Sequence, residues 1–81
     1  MMTTVLKADK TIDCSGKLCP VPIIETSKGI KQIEVGQVLK LIATDAGSVM
    51  DVPAWAKQTG HRLVDSTQEG DRYIYHIERT R

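Results

Sequence analysis

The spacing of apolar residues changes along the chain, and each change predicts an element. Residues 4–13, TVLKADKTID, mix β-branched and charged residues, which predicts an opening strand. The CSG that follows turns the chain, with Gly16 supplying backbone freedom. Across residues 20–33 the period becomes helical. Ile23, Thr26, Ile30 and Ile33 fall on one face, while Glu25, Lys28, Lys31 and Gln32 take the wet side. Gly29 inside this helix costs about 1 kcal/mol relative to alanine, and a close packing contact would account for it. EVGQ then ends the helix.

Residues 38–44, VLKLIAT, are β-branched and mostly apolar, the strongest strand pattern in the chain. DAGS is a turn. Ser48 with Asp51 three residues on matches a capping box in which Asp replaces the usual Glu. Val49, Val52, Ala56 and Thr59 mark a second helical face, with Pro53 placing the regular helix from about Val52 and Gly60 closing it. HRLVDS and RYIYHIER alternate, and TQEGD joins them as a hairpin with Gly70 at its tip. The order is βαβαββ. A strand, a helix and a strand imply parallel pairing through a right-handed crossover. The fold predicted is a single-domain α/β (α+β) two-layer sandwich over residues 1–81, with both helices on one face of a four-stranded mixed sheet.

Charge and composition narrow the function classes. Eleven basic and ten acidic residues leave a net charge of +1. That balance supplies no field for nucleic acid or an anionic membrane. No run approaches the roughly 20 apolar residues of a membrane span, and MMTTVLKADK lacks the apolar centre of a signal peptide. The expectation is a cytoplasmic chain in a reducing compartment. Two cysteines do not make a disulfide scaffold, so Ile, Val and Leu must build the core.

The chemistry concentrates in DCSGKLCPVPIIE, residues 13–25. With Cys19 at the N-cap of the first helix, Pro20 is N1 and Pro22 is N3. Neither proline then removes a helical hydrogen bond, and both stiffen the first turn. The helix N-terminus favours thiolate over thiol at Cys19. With proline at N3, only the Val21 N–H is left to donate to the sulfur, so the expected pKa depression is modest. His61 and His76 are distant in sequence, and no general base, oxyanion hole or cofactor loop is evident. A presentable sulfur with so little machinery suits a carrier whose partners supply the chemistry. No cofactor and no metal is expected. Cys14, Cys19, His61 and His76 lack zinc-finger spacing, and the histidines read as strand-edge polar residues.

DCSGKLCPVP has the pattern D-x-x-G-x-x-C-P-x-P, which resembles the TusA/SirA-like sulfur carrier proteins. TDAGSVMDVPAWAKQTGH, residues 44–61, resembles the second-helix segment of that family. The resemblance spans nearly the whole chain and implies a two-layer α/β sandwich. It implies that Cys19 accepts sulfane sulfur as a persulfide from a protein donor, such as a cysteine desulfurase or rhodanese-like protein. It further implies delivery to a protein acceptor, including relays that serve tRNA thiolation. Asp13, Gly16, Pro20 and Pro22 are its supporting motif residues. Lys17 stands where many members carry an apolar residue, which implies a more basic approach to the thiol.

Around this reading, Asp13 is expected to end the strand and cap the cysteine turn. Lys17, Asp45, Met50 and Trp55 are candidates for partner docking, with Trp55 also a candidate for core. Residues 41–56 hold Asp45 and Asp51 and no Lys or Arg, a stretch suited to a basic partner. Cys14, five residues before Cys19, is a candidate second thiol. Two alternatives therefore stand beside the carrier: a dithiol redox protein using Cys14 and Cys19, and a non-catalytic regulatory interaction module. The expected state is a monomer or weak oligomer that binds neither nucleic acid nor membrane.

Overall fold

In the computed structural model, which describes residues 8–18 and 20–81, the two periodicities resolve into six elements. They are β1 (Lys10–Cys14), α1 (Val21–Ile30), β2 (Val38–Ala43), α2 (Ser48–Thr59), β3 (Arg62–Glu69) and β4 (Arg72–Glu78). The strands form one mixed sheet in the order β1-β2-β4-β3. β1 runs parallel to β2, while β4 is antiparallel to both β2 and β3. This is the α+β architecture that the alternation of elements predicts.

Side chains alternate between the two sheet faces, so every second strand residue meets the helices. Cys14, Leu39, Leu41, Tyr75 and Ile77 share one buried cluster with Ile30 of α1 and with Val52, Trp55 and Ala56 of α2. Leu41 lies opposite Ile12 on one side and Tyr75 on the other, at the centre of this layer. On α2 the buried positions are Ser48, Val52, Trp55 and Ala56, spaced i, i+4, i+7 and i+8. Val49, expected on that face, lies one position off it and is exposed.

Gly29 has its packing reason. A Cβ there would collide with Ile12 Cδ1 and sit 3.4 Å from Leu39 Cδ1, so α1 rides close on β1 and β2. Alanine would gain about 1 kcal/mol of helix propensity but overpack the gap by about 1–3 kcal/mol. Gly29→Ala is expected to lower the urea midpoint with an unchanged slope. A raised midpoint would show that Ile12 gives way freely.

Several boundaries differ from the sequence reading. β1 begins at Lys10, and residues 4–7 of the predicted strand lie outside the described residues. Just before it, Asp9 turns its carboxylate to accept the Val38 N–H at 2.9 Å. α1 stops at Ile30, yet Ile33 remains buried in the turn that follows. α2 starts at Ser48, which places Pro53 inside the helix rather than at its start. The hairpin loop shrinks to Gly70 and Asp71, because Thr67, Gln68 and Glu69 pair with Ile74, Tyr73 and Arg72. Cross-strand pairing extended β3 into a segment whose composition reads as a turn.

The histidines also depart from expectation. His76 lies on the inner strand β4, buried, on the face away from the helices. Its Nδ1 has no hydrogen-bond partner and lies 3.9 Å from Asp65 Oδ2, and burial lowers its pKa. His61 precedes β3, where its Nδ1 accepts the Thr80 N–H at 3.2 Å.

Candidate functional site

Parallel pairing sets Cys14 opposite Ala43. The segment after β1 and the segment after β2 therefore leave the same end of the sheet, although 28 residues separate Gly16 from Thr44 in sequence. The Gly16 N–H donates to Thr44 Oγ1 at 2.8 Å and clips the two segments together. Thr44 went unnoticed in the sequence reading, because only the strand pairing brings it here.

Each motif residue has a definable job. Asp13 Oδ1 accepts the Ser15 N–H at 2.9 Å and the Ser15 Oγ–H at 2.6 Å, the cap expected at the cysteine turn. These bonds, the hydroxyl one foremost, hold the Asp13 carboxyl below the usual range, with Arg72 adding a smaller pull. Gly16 has φ +80°, where a side chain would be strained. The Lys17 N–H closes the turn on the Cys14 carbonyl at 3.0 Å.

The helix start lies one residue later than expected. Pro20, not Cys19, occupies the N-cap position, and Pro22 is the second helical residue rather than the third. The Val21 N–H, reserved in the sequence reading for the sulfur, instead donates to the Leu18 carbonyl at 2.9 Å. Both prolines still fall where no intrahelical acceptor waits, so the first helical bond, Ile24 N–H to the Pro20 carbonyl at 3.0 Å, forms undisturbed. Cys19 itself lies outside the described residues. Its chain neighbours Leu18 and Pro20, and Lys17 before them, are exposed.

The segment after β2 borders the same end. Asp45 Oδ1 accepts the Gly47 N–H at 3.2 Å and its carbonyl accepts the Ser48 N–H at 3.0 Å, so Asp45 organises the start of α2. The capping box is not formed: Gly47 is the N-cap, without a side-chain cap bond. The Ser48 hydroxyl is buried instead against Tyr75 OH at 2.8 Å. Asp51 lies in the first turn of α2, where the helix N-terminus favours a negative charge. Met50 is 79% exposed and Leu18 72% exposed, with Val49 beside Met50 also open. Leu18 was not singled out from sequence, and Val49 was expected on the buried face of α2 rather than in the open. Their signal was an apolar residue in a motif loop and another in a first helical turn.

Two candidates fall elsewhere. Trp55 is buried between the helices, its indole N–H donating to Ser27 Oγ at 2.9 Å, so it is core and not part of an exposed patch. Cys14 is 1% exposed and faces the helical layer, and burial pushes its thiol pKa up. We expect Cys14 to resist iodoacetamide in the folded chain and to react once the chain is denatured, read by peptide mass. Labelling at equal rates in both states would contradict its burial.

A sequence model of the family described as Sulfurtransferase TusA matches residues 10–79. The chain belongs to this family. The TusA assignment agrees with individual relatives. YrkI of Bacillus subtilis is 42% identical over 74 residues, covering 91% of this chain and 99% of that protein. The sulfur carrier protein TusA of Allochromatium vinosum is 44% identical over 72 residues, covering 89% and 95%. Among solved structures, a SirA-like protein of Desulfitobacterium hafniense shares the fold, with a TM-score of 0.77 at 22% identity over 89% of this chain and 99% of that one. Residues 13–22, the TusA/SirA-like motif, lie wholly inside the matched region. No described helix is long and apolar enough to cross a membrane.

Proposed function

We propose that this chain is a sulfur carrier that relays sulfane sulfur on Cys19 between two partner proteins. The observation that carries this reading is the described scaffold of the TusA motif. Asp13 and Gly16 shape an exposed turn clipped to the segment that follows β2, and exposed Pro20 with buried Pro22 opens α1. A relative 44% identical over most of the chain bears the name sulfur carrier protein.

The chemistry needs only a thiolate. Cys19 attacks the outer sulfur of a donor persulfide, forming its own S–S bond as the donor S–S bond breaks and the donor thiolate leaves. An acceptor thiolate then attacks the outer sulfur on Cys19, and the Cys19 thiolate departs. Neither step changes the net oxidation state. A thiolate favoured by the start of α1 would help both the attack and the departure. Protein donors of the cysteine desulfurase or rhodanese type, an acceptor relay serving tRNA thiolation, and work in the cytoplasm complete the reading. Thiosulfonate is the alternative cargo.

The burial of Cys14 favours a single working thiol over a dithiol couple. Exposed Lys17, Leu18, Val49 and Met50, with Asp45, supply a surface for docking at that end. Intact mass after incubation with a cysteine desulfurase and cysteine tests the proposal. A gain of about 32 Da per sulfur on the Cys19 peptide is expected. A loss of about 2 Da would instead favour the Cys14–Cys19 redox reading.

A further inference from the structure

The opposite end of the molecule carries a second concave site. There, Arg62 and Val38 both pair with Glu78, as far from Ala43 and Tyr73 as the sheet extends. A half-open cavity of about 320 Å³ lies between the C-terminal halves of the helices and the residues after β4. Ile30 and Trp55 form its apolar wall, and Lys31, Arg79, Arg81 and His61 its polar wall.

The polar wall is rich in donors. Arg79 is positioned by Nη1–H on the Ile33 carbonyl and Nε–H on the Arg81 main-chain oxygen. The Arg81 side chain lies over Gly60, where a Cβ would come within 2.7 Å of Nη1. Because His61 Nδ1 accepts the Thr80 N–H, the proton of the neutral ring sits on Nε2. Ser27 Oγ accepts from the Trp55 indole, which leaves its own proton to give. No carboxylate side chain lines the cavity among the described residues. Three cations thus gather in a chain whose net charge is only +1. The field of the two arginines reaches His61, whose pKa is lowered by burial first and then by Arg79 and Arg81.

We propose that this cavity binds a small organic phosphate, with the phosphate on Lys31, Arg79 and Arg81 and the carbon portion against Ile30 and Trp55. Arginine forks match phosphate oxygens, and the volume lies at the small end of ligand sites. The site shares no residue with the Cys19 turn, so it stands or falls independently of sulfur transfer.

Trp55 is the only tryptophan, so indole fluorescence reports on the cavity wall without a label. The full chain is titrated with AMP, adenosine and inorganic phosphate, exciting at the red edge of the indole band. AMP is expected to give a saturable change with Kd below about 1 mM. Adenosine should give none, and inorganic phosphate should bind at least about tenfold more weakly than AMP. The double variant Lys31→Gln, Arg81→Gln should weaken AMP at least about tenfold with circular dichroism unchanged. Arg79 is left intact because it ties the turn after α1. The proposal is overturned if AMP does not saturate, if adenosine or inorganic phosphate binds as well as AMP, or if the folded double variant binds AMP like the wild type.

Discussion

Cys19→Ala is expected to abolish sulfur loading, with no mass gain under conditions that load the wild type to completion. The loss should be at least about 100-fold in transfer rate, because removing the attacking sulfur leaves no second nucleophile able to reach a donor. Cys14 cannot substitute: it is 1% exposed, and burial raises its pKa, which suppresses the thiolate. Cys14→Ala should therefore load like the wild type. An unchanged circular dichroism spectrum for Cys19→Ala would separate lost chemistry from lost fold. Loading that survives Cys19→Ala would end the carrier reading, and loading lost only with Cys14→Ala would move the chemistry to the wrong thiol.

Leu41→Ala is expected to lower stability by about 2–5 kcal/mol, the range for emptying a fully buried leucine site. Leu41 is 0% exposed and central in β2, between Ile12 and Tyr75. A domain of this length has roughly 4–12 kcal/mol in total, so much of that margin disappears. Chemical denaturation should show the midpoint falling with little change in slope. A shift under about 1 kcal/mol would mean that neighbouring side chains collapse into the space left behind. The functional consequence follows from topology. β2 is the strand that carries Thr44 to Gly16, so sulfur transfer should decline together with the folded fraction.

The elements readable from sequence were those whose signal is local. VLKLIAT makes a strand because branched apolar residues suit a pleated surface. Ile23, Thr26, Ile30 and Ile33 make a helical face because their spacing matches the turn. The start of the first helix at the prolines was legible too, one residue early, since prolines are tolerated at a helix start and in few other helical positions. Asp13 as the cap of the turn was foreseen from the same local chemistry.

The misses share a different cause. Ser48 looked like a cap, but its hydroxyl bonds Tyr75, 27 residues away. Thr67 to Glu69 looked like a loop, but β4 offered a ladder of hydrogen bonds. His76 looked like an edge residue until β2 and β3 closed on either side of its strand. The Val21 N–H was assigned to sulfur, but the Leu18 carbonyl took it once the turn tightened.

Sequence alone determined the order of elements, the family motif and the thiol to test, because each rests on neighbours within a few residues. Tertiary structure decided that Cys14 is buried, that Gly16 meets Thr44, and that Lys31, Arg79 and Arg81 share one cavity wall. Those facts depend on contacts between distant segments, which exist only when the sheet has closed and the helices have packed upon it.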